Sequence, residues 1–490
     1  MNKLSKYHNK VTYAIIIISC LLFLGMGYVA LELGMDWYSF VPVIILALTL
    51  LIMRFEYTMF AVALLTPFSI FVQYQVFSLA IPTEPILILA TCIFLFELSL
   101  KYKIPVEFYK HPVSKWILFS LIWIAISMVF STDFVVSVKH LIARLWFVIP
   151  CYFMMLVIFR DSKKILWFIA CYGLALSIII VITTIKYALT GFDYTFAHYI
   201  MTPFYNDHTA YGATIGLFMP ISFYYLLAKK TLYDNVCLRI LFGFICLCLL
   251  IGFVFSYARA TWLSVAVALG VLVIVKLKIT KKVILTTGII GILLLLVAGP
   301  TIKNKMSENS QDSSGNIAEH IQSISNISTD ASNTERLNRW ACALQMTKNR
   351  PIFGYGFGTY QFEYGKFQKS KDLTIISTNE GTLGNAHSEY LGPLCETGIL
   401  GFVTIIMIFI YTTYIGIRAY YRIKNRDSAN LILFLTISVI TYYVHGIMNN
   451  FLDTDKLAVP FWAITSMIVA LDVNSEKLKV ITNDIKKENI

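Results

Sequence analysis

The sequence is short of charge. Only 14% of its 490 residues are Asp, Glu, Lys or Arg, against roughly 25% in soluble domains. The 58% apolar content is more than one soluble core can hold, since single cores stop growing near about 250–300 residues. A soluble enzyme, a disordered chain and a collagen are thereby excluded. A disulfide framework is missing as well. The nine cysteines are an odd number, with no CxxC pair and no metal-ligand spacing. Eight of them (Cys20, Cys92, Cys151, Cys171, Cys237, Cys246, Cys248 and Cys395) lie in apolar runs and read as packing residues, and Cys342 alone falls in a polar segment. There is no P-loop and no internal repeat of the kind transporters carry. No cofactor or metal is therefore expected.

What is present is apolar runs, and a bilayer needs about 20 such residues per helix. Fourteen segments qualify: 12–34, 38–53, 56–74, 80–100, 114–131, 138–159, 164–187, 209–228, 236–256, 260–276, 281–299, 387–417, 429–448 and 457–471. The expected fold is all-α, a polytopic transmembrane bundle of about fourteen spans, or twelve once the shortest are set aside. The basic residues test this count. With the N-terminus in the cytoplasm, 26 of the 40 Lys and Arg fall in cytoplasmic segments, nine in the 300–386 segment, and five (Lys139, Arg144, Lys186, Arg259, Lys456) at the outer face. Both termini then lie inside. The net charge of +12 is topological, and nucleic acid is not a partner. The chain divides into a bundle at 1–299, an outer loop at 300–386, further spans at 387–472 and a tail at 473–490.

Two outer segments are long. Residues 188–208 hold aromatics, two Asp and two His but no basic residue. Residues 300–386 open with a Ser/Asn/Asp-rich stretch at 304–335. Ser332 and Glu335 then fit a capping box, and Leu337, Trp340, Ala341 and Leu344 recur at helical spacing. An amphipathic helix over 335–348 follows, its stripe against the bundle or in the membrane interface. Pro351 stops it, and Gly354, Gly356 and Gly358 suit close backbone approach.

Several residues stand out by type and place. His387, at the start of a span, is either an interfacial histidine bonded to a carbonyl or a general base. Arg259, between two spans, either snorkels or binds an anion. Arg144 lies inside a span, where an arginine must find an anion or a carbonyl. Arg336 opens the loop helix. These four groups share the outer side and suit an anionic, partly apolar substrate, because guanidinium groups bind phosphate oxygens in pairs.

The run Arg336-Leu337…Trp340, Pro351…Gly354-Tyr355-Gly356-Phe357-Gly358, His387-Ser388, nine residues, then Gly398-Ile399-Leu400-Gly401 resembles the signature domain of the O-antigen ligase and O-antigen polymerase superfamily. SYARATW (256–262) and NDHTAYG (206–212) are similar to further parts of it. The resemblance covers about 100 residues. It implies a metal-free and nucleotide-free glycosyltransferase in the bacterial inner membrane, with its active site facing the periplasm. It implies a glycan donor on undecaprenyl pyrophosphate and an acceptor that is lipid A core sugar in ligases, or another lipid-linked glycan in polymerases. It also implies functional roles for Arg259, Arg336 and His387, with Arg339 a close alternative to Arg336. The fourteen spans and the long polar insert depart from the family's usual pattern. Under this reading His387 accepts the acceptor's proton, with Glu389 the rival base. Arg259, Arg336 and Arg144 hold the pyrophosphate, and Asp207 or His208 orients the acceptor. His445 either supports the site or simply packs between helices. Tyr194, Phe204, Tyr205 and Tyr390 either stack on sugars or belong to the aromatic belt. A polymerase and, from another class, a glycan or lipid transporter remain the alternatives.

Overall fold

The computed structural model describes residues 55–73, 78–100, 104–228, 235–279, 331–368 and 384–488. The expected spans 12–34, 38–53 and 281–299, and the 304–330 stretch, lie outside the described residues. The chain is an all-α membrane bundle. Its thirteen principal helices among the described residues are α1 (Phe55–Leu65), α2 (Thr83–Leu100), α3 (Pro112–Met128), α4 (Phe134–Ile158), α5 (Ser162–Leu189), α6 (His208–Leu227), α7 (Val236–Phe255), α8 (Arg259–Lys276), α9 (Ala331–Asn349), α10 (Leu391–Glu396), α11 (Gly398–Arg422), α12 (Arg426–His445) and α13 (Asp455–Glu488). A small antiparallel hairpin, β1 (Ile70–Gln73) with β2 (Ser78–Ile81), pairs Ile70 with Ile81 and Gln73 with Ser78. Eight helices among the described residues are long and apolar enough to cross a membrane: α4 to α8, α11, α12 and the first part of α13.

Two expected spans come out differently. The 56–74 run is not one helix, because Thr66-Pro67 turns the chain after Leu65 into a short 3₁₀ segment that leads to β1. Proline removes a helical donor and clashes with the preceding turn. The 387–417 run is also divided. The short α10 ends at Glu396, Gly398 takes φ 74°, and α11 starts there. His387 therefore lies in a loop eleven residues before the span. Proline acts again at Pro150, where α4 widens into one π-turn over Ile149–Met154.

Inside the bundle, 94% of the apolar window of α13 is buried, so this helix is an axis around which others pack. Small residues let α6 approach α8. A Cβ on Gly212 would stand 2.6 Å from both Ala258 Cβ and Thr261 Oγ1, and Gly216 continues the same close face one turn on.

The membrane-crossing part of α13, Asp455–Ser475, carries charges at both its ends, and these are matched. At one end Asp472 takes Arg422 Nη2 at 2.7 Å and faces His111 Nε2 at 3.4 Å. At the other, buried Lys456 points Nζ at the carbonyls of Thr66, Pro67 and Ser69, at 2.7, 3.2 and 2.6 Å. Ser69 Oγ bridges to Asp455. The same proline turn that interrupts the first described helix thus supplies the cage for this ammonium. Replacing Lys456 by Met would strip a buried carboxylate of its counter-charge and three carbonyls of a donor, a loss of about 3–5 kcal/mol. Thermal unfolding in detergent should show a clear fall in Tm for Lys456→Met, and an unchanged Tm would refute this account of the junction.

Candidate functional site

At the end of the bundle where α5 stops and α6 starts, several of the singled-out residues meet. Asp207 caps α6, accepting from Ala210 N at 2.7 Å and from the Thr209 hydroxyl. His208, the first residue of α6, faces His198 across the 188–208 loop with the two Nδ1 atoms 3.1 Å apart. One ring of such a pair must be neutral. Arg259 opens α8 after a three-residue corner in which Tyr257 takes φ 47°. Trp262 staples that corner by donating Nε1 to Phe253 O at 2.9 Å. Arg259 and Arg336 both stand within electrostatic reach of His208.

Helix α9 brings Arg336 and Arg339. It is already helical at Ala331, so Ser332 and Glu335 lie within it and the helix begins before the expected 335. The apolar stripe is also displaced from the bundle. Leu337 and Leu344 are exposed, while Glu335, Asn338, Arg339, Cys342, Ala343 and Met346 face inward. The reason is local packing. Cys342, Ala343 and Met346 form a small core with Tyr355, Tyr360, Tyr364, Ala386 and Cys395. Arg339 is buried because every side of it is answered: Nε donates to Glu335 Oε1 at 2.8 Å, Nη1 to Asn385 O at 3.2 Å, and the guanidinium lies over Tyr364.

The glycine run after α9 is a clamp. Tyr355 N donates to Cys395 O at 3.0 Å, Gly356 N to Glu396 O at 2.7 Å, and Ile399 N to Pro351 O at 2.9 Å. Gly354 has φ 68°, and a Cβ there would fall 2.4 Å from the Glu396 carbonyl carbon. The run thus binds α9 to the start of α11. Burial lifts the Glu396 carboxyl to about 8, against the N–H groups of Gly358 and Tyr360, which lower it.

His387 sits between these parts with φ 46°. Its N–H donates to Asn385 Oδ1 at 3.0 Å, and its carbonyl faces the Trp340 indole N–H at 3.4 Å. Burial first, then Arg339 and Arg336, pull its imidazole down to about 4, while Asp207 and Glu335 act the other way. His387, Arg336, Arg339 and Asp207 therefore share one field. His445, 1% exposed, is bonded to Asn449 through Nε2 at 3.2 Å and lies in reach of Arg336 and His208.

Other expected residues are placed differently. Arg144 is committed to Asp453, Nη2 to Oδ1 at 2.8 Å, and lies over Phe357. Glu389 is buried and bonded to the turn after α12. The Tyr390 hydroxyl donates to Tyr443 O at 2.7 Å and its ring packs on Phe409. Tyr205 is buried against Lys456, and Phe204 packs on Phe68, whereas Tyr194 packs on His198 and Tyr257. The structure also brings in residues that the sequence expectations left out: His198, Asn385 and the Asp453-Thr-Asp455 pair. His198 could have been found as the second histidine of the 188–208 segment. Asp453 has no local signal pointing to Arg144. Among the described residues, no three His, Cys, Asp or Glu side chains are grouped to hold a metal ion.

The profile of a family described as O-antigen ligase matches residues 244–406. That stretch holds Arg259, Arg336, Arg339, His387, Glu389 and Tyr390. A protein of Haemophilus influenzae, described only as uncharacterized, is 30% identical over 179 residues, which is 36% of this chain and 41% of the relative. The chain thus spans about two fifths of that relative's length.

The Glu396 carboxyl yields a pH test. Its folded pKa lies above its ordinary value, so its protonated form stabilises the fold at low pH. That contribution is lost as pH rises from about 4.5 to about 8. Glu396→Gln keeps the acceptor and cannot ionise. Its Tm advantage over the parent should therefore grow across that window and level off above it in unfolding scans. A constant difference would contradict the assignment.

Proposed function

We propose, from the match of residues 244–406 to the O-antigen ligase family, that this protein transfers a glycan from a lipid pyrophosphate carrier to an acceptor hydroxyl, at the bundle end where His387 meets the arginines. One observation carries the reading: a neutral imidazole shares its surroundings with Arg336, Arg339 and Asp207, a site that attracts an anion and can take a proton. The donor is an undecaprenyl-pyrophosphate-linked oligosaccharide, and the acceptor is a sugar hydroxyl of lipid A core. The site faces the periplasm of a bacterial inner membrane.

The chemistry balances without a metal. The acceptor oxygen attacks the anomeric carbon, forming the new glycosidic bond. The bond from that carbon to the pyrophosphate oxygen breaks, and its electron pair stays on the pyrophosphate. Arg259 and Arg336 neutralise the charge that grows there. The hydroxyl proton passes to His387. Direct attack inverts the anomeric centre. Arg339, held by Glu335 and Asn385, contributes field to the site. Arg144, paired with Asp453, stands outside the pyrophosphate cradle in this proposal.

An imidazole held near 4 is a weak base, and the substrate corrects this. A pyrophosphate between His387 and the arginines offsets their share of the lowering, which is second to that of burial, so the base strengthens once the donor is bound. In the free protein His387 is neutral above about pH 4, and activity falls as pH drops through that value.

Purified protein given the lipid-linked repeat unit, with and without lipid A core, tests the reaction. A product that needs the core supports the ligase, and a ladder without core makes the protein a polymerase. With native protein, absence of transfer in both arms would sink the proposal. His387→Ala should lower kcat/KM by about 10²–10⁴-fold with normal folding. The acid limb of kcat/KM should lie near pH 4 and that of kcat at higher pH. An acid limb of kcat/KM at 6.5, the ordinary imidazole value, would contradict the lowering by burial and the arginines, whereas full activity in His387→Ala would reject His387 as the base.

A further inference from the structure

Glu389 stands two residues from His387, and its bonds run the other way. Oε1 accepts from Phe451 N at 2.7 Å, Leu452 N at 2.9 Å and the Tyr442 hydroxyl at 2.5 Å. Its own N–H donates to Gly446 O at 2.8 Å. The residue is 5% exposed. All of these partners belong to the end of α12 or the turn that leads to α13. On the other side, the backbone of His387 is bound to Asn385 and Trp340. The three residues from His387 to Glu389 are therefore a bridge, fixed to α9 at one end and to the α12–α13 turn at the other.

This geometry argues against Glu389 as a base. A proton acceptor must present a lone pair to the substrate hydroxyl, and here Oε1 already collects three protein donors while the side chain is buried against the α12–α13 turn. Those donors depend on it: the Leu452 N–H and the Tyr442 hydroxyl both give their hydrogens to this oxygen, and the Phe451 N–H, which lies outside any helix, is shared between it and the Tyr442 oxygen at 3.0 Å. The carboxylate closes a turn that the backbone alone leaves open.

We propose that Glu389 is a positioning residue, which fixes His387 against the arginines by tying its segment to the α12–α13 turn. The inference rests on the glycan-transfer reading, in which His387 takes the proton. Glu389 touches no substrate in this proposal. It acts by holding a left-handed residue in one place, and a displacement of about 1 Å at a reacting group can cost on the order of 10²-fold in rate.

The test uses full-length protein in detergent and three variants. Glu389→Gln retains an acceptor oxygen for the two N–H groups. Glu389→Ala removes it. Gly446→Ala leaves the carboxylate and places a Cβ 3.0 Å from Glu389 Cγ, pushing the bridge from its far side. Each is assayed for transfer against donor concentration. Each is also treated with diethyl pyrocarbonate, with modification of His387 followed by mass spectrometry, a readout that needs no turnover. Glu389→Gln should keep kcat within about threefold of the parent, and Glu389→Ala should lose on the order of 10²-fold in kcat with KM within about threefold. The His387 modification rate should change in Glu389→Ala and in Gly446→Ala, and stay at the parent value in Glu389→Gln. Should Glu389→Ala fail to fold, Gly446→Ala decides: a lower kcat with an altered His387 rate supports the bridge, and parent values for both overturn it. A folded Glu389→Gln with no activity and a parent-like His387 rate would make Glu389 the base and end the proposal. If the parent itself transfers no glycan, the glycan-transfer reading fails, and unaltered His387 rates in Glu389→Ala and Gly446→Ala would then overturn the bridge separately.

Discussion

A charge inside an apolar bundle must be answered by another charge or by hydrogen bonds, because water is not there to solvate it. In this protein that demand concentrates on one corner, the chain between α12 and α13. Within residues 446–456 the Phe451 and Leu452 amides meet Glu389, Asp453 meets Arg144, Asp455 meets Ser69, and Lys456 meets the carbonyls of residues 66, 67 and 69. Three distant parts of the chain are thereby held to one turn. None of these contacts adds much apolar area. Their effect is to select a single arrangement, since sliding any partner would strand a buried charge.

The candidate site grows from that corner. The 384–390 segment runs along it, α9 closes over that segment, and the glycine clamp fixes α9 to the head of α11. The cationic character of the site comes from helix starts: Arg259 begins α8 and Arg336 lies in the second turn of α9. Positive residues there stand beside the positive end of the helix dipole. That placement is unfavourable for an isolated protein and favourable once an anion is bound.

Much of this was legible in the residues, and the limits have physical causes. Long apolar runs identify spans because only a helix satisfies its own backbone in a bilayer, and α4 to α8 fall where those runs lie. Hydropathy alone misses what a proline or a left-handed glycine does to a run, so 56–74 and 387–417 read as single helices although Pro67 and Gly398 mark the breaks. The arginines and His387 are conspicuous by type. Their company is not: which acid answers Arg144 depends on a fold that brings residue 453 to residue 144. The inward face of α9 was likewise hidden, since Leu337 and Leu344 make the plainer stripe. The buried face is chosen by small side chains that fit α10 and by an arginine with three partners.

His387 takes a left-handed backbone, which glycine adopts freely and a histidine adopts at some conformational cost. Backbone economy and side-chain chemistry therefore favour different residues at this position. A chain selected only for heat resistance would drift there toward glycine or asparagine. Keeping the imidazole is a trade of stability for activity, written into one dihedral angle.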